Sequence, residues 1–262
     1  MSTTEGSFVW YELMTTDPKA AETFYGKVVG WNLVDSGYSE MRYTLALVGE
    51  HRVAGIMEIP DEVRQHGGRP GWIGYVAVAD VDAKAEAVMR AGGTIHRPPA
   101  DIPAIGRFAV VADPQGANFV LFRGDGTPPA APVPGTPGHF GWHELYAHDW
   151  PSSLAFYETL FGWRKGEAID IGPMGTYQLF HAQNAPLDGM ATGGMMNLPG
   201  PPAPSWLYYV NVEEIDAATE RLRQAGGAVM NGPMEVPGGM WVVQASDPQG
   251  AQFAIVGRRD GT

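Results

Sequence analysis

Two four-residue stretches place a carboxylate beside large aromatic groups: Trp10-Tyr11-Glu12-Leu13 and Trp142-His143-Glu144-Leu145. Both read as opening segments of β-strands, where side chains alternate between faces. Trp10 then shares a face with Glu12, and Trp142 with Glu144, while His143 takes the other side. A glutamate enclosed by aromatic rings loses hydration, and its pKa should rise. Such a group serves as a general acid or base, or anchors an amine or hydroxyl. Glu12 and Glu144 are therefore the candidate catalytic residues. The competing role is structural, through hydrogen bonds from a facing segment or an ion pair with an arginine such as Arg107. A buried charge needs a partner in either case.

Further apolar groups fit the same picture. Tyr75 alternates with Ile73 and Ala77 onto one strand face, as Tyr209 does with Leu207 and Asn211. Trp10, Met57 and Tyr75 in the first half, and Trp142, Met195 and Tyr209 in the second, are the candidate ligand-binding residues. Aromatic faces stack on flat molecules and methionine fills irregular gaps. Trp31 and Trp163 follow helix-ending glycines and read as packing residues, while Trp72 and Trp206 read equally as core or pocket wall. His51, His66, His96, His139, His148 and His181 are scattered without ligand spacing. With no cysteine, thiolate metal sites and thiol nucleophiles are excluded. No G-x-S-x-G elbow, phosphate-binding loop or G-x-G-x-x-G fingerprint after a strand is present.

The segments that must position these residues repeat. Trp10 to Leu13 recurs as Trp142 to Leu145 after 132 residues, and Phe24-Tyr25 recurs as Phe156-Tyr157. Gly30-Trp31 matches Gly162-Trp163 at the same offset. Further on the offset is 134, where Asp113-Pro114-Gln115-Gly116-Ala117 matches Asp247-Pro248-Gln249-Gly250-Ala251. The expected organisation is a first domain over 1–123, a Gly/Pro-rich linker over 124–138 and a second domain over 139–262.

Each half divides again. A strand from Phe8 to Met14 leads to Asp17-Pro18, an N-cap followed by proline at the first helical position. Strands are expected over Trp31–Val34, Tyr43–Val48 and Val53–Ile59. A second strand, Trp72 to Val78, leads to a helix capped by Asp80 and stopped by Gly92-Gly93. Runs Phe108–Val111 and Asn118–Phe122 flank an Asp-Pro-Gln-Gly turn and should form a hairpin. The coarse order is β-α-β-β-β, four times. The fold class is α+β, with four βαβββ modules in two cupped mixed sheets, helices outside and a pocket inside each cup.

The charge balance of 17 basic against 29 acidic residues argues against nucleic acid as a partner. No apolar run reaches the ~18 residues of a membrane span, and the N-terminus shows no signal-peptide pattern. The reading is a soluble cytoplasmic protein, a monomer or homodimer, with a small molecule as its partner and no cofactor.

This layout resembles the vicinal oxygen chelate superfamily of glyoxalases, bleomycin-resistance proteins and extradiol dioxygenases. The residues that carry the resemblance are Asp17, Phe24-Tyr25, Gly30-Trp31, their second-half counterparts, Val78-Ala79-Asp80-Val81-Asp82 and the Asp-Pro-Gln-Gly turns. The resemblance implies a metal held by four side chains in metal-dependent members. Their positions correspond here to Trp10, Ile73 and Val120, and to Trp142, Leu207 and Ala254, with the remaining one near Met57 and Met195 or Met196. Apolar side chains cannot ligate a cation, so no metal is expected at this position. Two functions follow: a metal-free binder that sequesters a planar or amphipathic molecule, in the manner of the bleomycin-resistance branch, or a glyoxalase-like lyase, isomerase or oxygenase. The latter would use a Glu as acid/base, or a divalent metal held elsewhere.

Overall fold

The structure is a computed structural model that describes residues 4–38, 41–126, 132–198 and 203–259. The first half runs β1 (Phe8–Thr15), α1 (Pro18–Val28), β2 (Asn32–Asp35), β3 (Tyr43–Val48), β4 (His51–Glu58), α2 (Asp61–Gln65), β5 (Gly71–Ala77), α3 (Val81–Arg90), β6 (Thr94–Ile102), β7 (Gly106–Ala112) and β8 (Asn118–Gly124). The second runs β9 (Phe140–Ala147), α4 (Trp150–Phe161), β10 (Arg164–Asp170), β11 (Thr176–His181), β12 (Gly193–Asn197), β13 (Ser205–Glu214), α5 (Ile215–Gln224), β14 (Ala228–Val236), β15 (Met240–Ser246) and β16 (Gln252–Arg258). The strands form two mixed eight-stranded sheets, ordered β2-β3-β4-β1-β5-β8-β7-β6 and β10-β11-β12-β9-β13-β16-β15-β14. The class is α+β, and the sheet order repeats with the sequence.

Local chemistry accounts for most boundaries. The Asp17 and Asp80 carboxylates each accept from a helix N–H, at Ala20 and Ala83, both at 3.0 Å. Asp149 makes no such side-chain bond. There Asn197 substitutes, its Oδ1 accepting from the Trp150 N–H at 2.7 Å, while Gln115 clasps the cap residue itself, accepting from the Asp149 N–H at 2.9 Å and donating to its carbonyl at 2.8 Å. The hairpin β7–β8 closes across the Asp113 turn with Ala112 opposite Asn118. Two elements differ from the sequence expectation. The short helix α2 was not anticipated, and neither was the span of β6, whose Pro98 and Pro99 argue against a strand. β6 tolerates them because it lies at an edge and its register against β7 shifts between Arg97 and Ala100, so both prolines fall where the ladder is interrupted.

The chain forms two compact units. One holds Met1–Val9, Ile73–Ala130 and Trp142–Leu207; the other holds Trp10–Trp72, Ala131–Gly141 and Tyr208–Thr262. Each unit combines a module from either half of the sequence. Residues 127–131 of the expected linker lie outside the described residues.

The duplicated motifs are the fasteners within each unit. In the first, Trp206 Nε1 donates to Tyr157 Oη at 3.2 Å, and Tyr157 Oη donates to Asp113 at 3.2 Å. In the second, Trp72 Nε1 donates to Tyr25 Oη at 2.9 Å, and Tyr25 Oη donates to Asp247 at 3.2 Å. Trp72 and Trp206 thus belong to the core. Trp163 Nε1 donates to the Gly6 carbonyl at 2.6 Å, and Trp31 Nε1 to that of Gly138 at 2.7 Å, so both are packing residues. Burial raises the Asp113 and Asp247 pKa values, opposed by hydrogen bonds from their own turns and from the tyrosines.

Asp113 Oδ1 also accepts from the N–H groups of Gln115 at 2.8 Å and Ala117 at 2.9 Å. Removing it leaves several donors unmatched. Asp113→Ala should therefore cost about 2–4 kcal/mol of stability, whereas Asp113→Asn, which keeps an acceptor, should cost less than half of that. Urea denaturation of the purified variants measures both.

Candidate functional site

Each unit carries one cluster of glutamate, tyrosine and tryptophan on a sheet face. In the second unit, parallel pairing of β1 with β4 sets Glu12 opposite Gly55. Tyr43, on β3, lays its ring across that glycine, where a Cβ would overlap the tyrosine hydroxyl. The phenol then reaches both β1 side chains. Trp10 Nε1 donates to Tyr43 Oη at 3.1 Å, and Tyr43 Oη donates to Glu12 Oε2 at 2.9 Å. Glu12 is 9% exposed and Trp10 is half-buried. Burial, followed by the Glu12 charge, drives the Tyr43 pKa far above its ordinary value, so the phenol keeps its proton. Met57 is two residues beyond Gly55 and shares its face. Tyr209, on β13 in the same unit, accepts a hydrogen bond from Gln244 Nε2 at 2.9 Å.

The first unit repeats the arrangement with an addition. Glu144 lies opposite Gly194, and the Tyr177 ring covers that glycine. Trp142 Nε1 donates to Tyr177 Oη at 2.9 Å, and the Tyr177 hydroxyl bonds Glu144. Tyr146 Oη also donates to Glu144 Oε2, at 2.9 Å. The position equivalent to Tyr146 in the first half is Met14, which has no hydroxyl. Burial, followed by the Glu144 charge, again holds the Tyr177 pKa well up. Tyr75, in this unit, is buried and edge-on to Phe122 at 5.8 Å.

Met195 is a correction. It was expected beside Glu144, but β12 pairs it with Leu145, so it points to the opposite face and is fully buried. Met196, in register with Tyr146, takes the Glu144 face. Arg107 reaches neither glutamate; it pairs with Asp82 at 2.6 Å and Asp101 at 2.9 Å. The sequence reading missed Tyr43, Tyr177, Tyr146, Gly55 and Gly194. The signal for the glycines was available, since glycine inside a strand marks a close approach by another group.

The opposite faces of β1 and β9 are core. His143 stacks on Phe8, with centroids 4.2 Å apart, and its Nδ1 lies 2.7 Å from the Thr192 carbonyl. Tyr11 stacks on Phe140 at 3.7 Å. Burial lowers the His143 pKa to about 4, and the Thr192 carbonyl only partly offsets this. The ring is neutral at pH 7.

The positions that the family resemblance assigns to metal ligands do not fit a resident cation. The Trp10 and Trp142 indoles donate hydrogen bonds, and Ile73, Val120, Leu207 and Ala254 are hydrocarbon. Among the described residues, no three His, Cys, Asp or Glu side chains come together in a way that could hold a metal ion.

Two outcomes follow from this geometry. Gly194→Ala should destabilise by about 1–3 kcal/mol, because the new methyl meets the Tyr177 ring. That loss should largely vanish in a Tyr177→Ala background, as a double-mutant cycle by urea denaturation would show. His143, with a depressed folded-state pKa, supplies stability that is present above pH ~6.5 and lost as pH falls toward 4. The loss should amount to about 3 kcal/mol relative to His143→Gln, read from stability measured across that window.

Comparison with known proteins agrees with this architecture. The sequence model of the Glyoxalase/Bleomycin resistance protein/Dioxygenase superfamily matches twice, over residues 7–121 and 137–255. A Mycobacterium bovis protein named "Putative glyoxylase CFP32" is 33% identical over 256 residues, covering 96% of this chain and 95% of that protein. The anthracycline biosynthesis protein DauV of Streptomyces sp. (strain C5) is 32% identical over 267 residues, covering 97% and 94%. The crystal structure of a Mn(II)-bound glyoxalase from Novosphingobium aromaticivorans superposes with a TM-score of 0.62 at 19% identity, covering 98% of this chain and 83% of that one. On the two-fold match and these full-length relatives, the chain belongs to the glyoxalase/bleomycin resistance protein/dioxygenase superfamily.

Proposed function

We propose that the protein binds a planar or amphipathic organic molecule at its Glu–Tyr–Trp clusters and sequesters it, with no metal at the family position. The observation that carries this reading is the pairing of a buried carboxylate with a proton-holding phenol beside a half-buried indole, once in each unit. The carboxylate offers an acceptor to a ligand hydroxyl, the phenol that donates to it fixes its orientation, and the indole offers a flat apolar wall. The hydrocarbon side chains at the family's metal positions favour polar and apolar recognition over coordination.

A second reading has its own support. Glu144 is bonded by two phenols, Tyr146 and Tyr177. A carboxylate so placed can take a proton from a substrate while its neighbours stabilise the charge that develops, which is general acid–base chemistry. The relatives named for glyoxylase activity and for anthracycline biosynthesis make a catalytic role for this chain the natural alternative.

Alizarin, a flat hydroxylated anthraquinone, is a suitable probe. Tryptophan fluorescence should be quenched saturably, and Glu12→Gln and Glu144→Gln should each weaken binding about ten-fold, the worth of one hydrogen bond to a charged group. The alizarin absorbance spectrum should stay constant over hours. Unchanged affinity in both variants would remove the glutamates from the site. Consumption of the probe that Glu144→Gln abolishes would establish the enzymatic reading instead.

A further inference from the structure

A cleft of about 360 Å³ in the first unit lies outside the glutamate clusters, between β10, β11 and the segment that follows β11. Its size is at the lower end of the ~300–1,000 Å³ typical of small-molecule sites. Gly166, Glu167, Leu179, His181, Leu187 and Ala191 are among its lining residues. The cleft exists because β10 bulges: its register against β11 shifts between Lys165 and Ala168. Gln178 Nε2 pins the bulge by donating to the Gly166 carbonyl at 2.9 Å and the Glu167 carbonyl at 3.2 Å. The missing side chain at Gly166 leaves room for the imidazole, since a Cβ there would sit 3.1 Å from His181 Nε2. Both ends of the facing segment are tied down. The Ala182 N–H donates to Thr192 Oγ1 at 2.9 Å, and Arg164 bonds the Ala182 and Ala185 carbonyls.

His181 is the unusual member. It is 5% exposed, and its Nδ1 is buried with no hydrogen-bond partner. Lys165, the cation of the lining, lies over the Trp150 ring at 5.5 Å. We propose that this cleft binds a small, hydroxyl-bearing, largely apolar molecule, with His181 Nδ1 as its polar anchor. A hydroxyl suits the site because it both donates and accepts, and so satisfies Nδ1 in either imidazole tautomer. Leu179, Leu187 and Ala191 supply the apolar wall. Leu187 is 57% exposed and gains a partner when the cleft fills. A buried polar atom without a partner is costly, so a ligand hydroxyl that completes Nδ1 gains a hydrogen bond that the protein's own groups do not supply. The site is separate from the glutamate clusters: His181 lies four residues along β11 from Tyr177, about 13 Å away on the same strand face.

The test uses the full chain and a matched pair of probes, benzyl alcohol and toluene, followed by nitrogen-15 NMR of the histidine rings. Benzyl alcohol should shift the His181 Nδ1 resonance saturably and bind about five-fold tighter than toluene, the worth of one neutral hydrogen bond. His181→Phe should abolish that preference, while Glu144→Gln should leave it intact. Ala191→Phe, which adds bulk to the cleft and leaves His181 in the sequence, should weaken both probes. Equal binding of the two probes by the unsubstituted protein, or no saturable His181 shift, overturns the proposal. So does a preference that survives His181→Phe; one that disappears with Glu144→Gln would place the alcohol at the glutamate cluster instead.

Discussion

The structure depends on a buried tyrosine–aspartate hydrogen bond formed twice, each time between a helix of one sequence half and a turn of the other. Tyr157 of α4 meets Asp113, and Tyr25 of α1 meets Asp247. Each aspartate also holds its own turn by accepting two backbone N–H groups. A tryptophan from a third segment donates to each tyrosine. The chain therefore cannot satisfy these groups within one half. A carboxylate taken out of water demands donors: the turn fills one oxygen, and the donor to the other is a tyrosine more than forty residues away in sequence. That bond ties a helix of one sequence half to a turn of the other within each unit.

The same pairing sets the faces of β1 and β9. Tyr11 and Phe140 stack in one unit, and Phe8 and His143 stack in the other. The positions are reciprocal: Phe140 stands 132 residues after Phe8, and His143 the same distance after Tyr11. With Tyr11 and His143 fixed in the aromatic core, period-2 alternation turns Trp10 with Glu12, and Trp142 with Glu144, to the other side, the side that Phe8 and Phe140 share at the start of each strand. The glycines at 55 and 194 then decide what those glutamates meet. A residue with a side chain at either position would hold the tyrosine ring off the sheet and leave the carboxylate without its phenol.

Much of the fold was legible because duplication wrote each signal twice. The N-cap aspartates, the helix-ending glycines and the Asp-Pro-Gln-Gly hairpins are local features whose conformations depend on a few neighbouring residues. β6 was not legible, because tolerance of Pro98 and Pro99 depends on its edge position, and sheet order is non-local. At the site, the shared face of Trp10 and Glu12 followed from alternation alone. The phenols did not, because a tyrosine at the start of a β-like run reads as ordinary strand composition until the partner strand is known. Met195 went astray for a related reason. Two consecutive methionines offer both faces, and only the register against β9 separates Met195 from Met196.

Duplication has not kept the two clusters chemically equal. Tyr146 adds an O–H to Glu144 where the first half has Met14, and a thioether cannot donate a hydrogen bond. Hydrogen bonds to a carboxylate stabilise its charged form and lower its basicity, while burial acts in the opposite sense. On chemistry alone, the extra phenol makes Glu144 the better anchor for a charge-assisted contact, and its absence from the Met14 position leaves that side of the first cluster apolar. On the proposed function, two clusters with one architecture and different polarity would suit ligands that differ in hydroxylation. On the same reading, with indoles donating at positions where the family resemblance puts metal ligands, selectivity would rest on where O–H groups stand around a carboxylate.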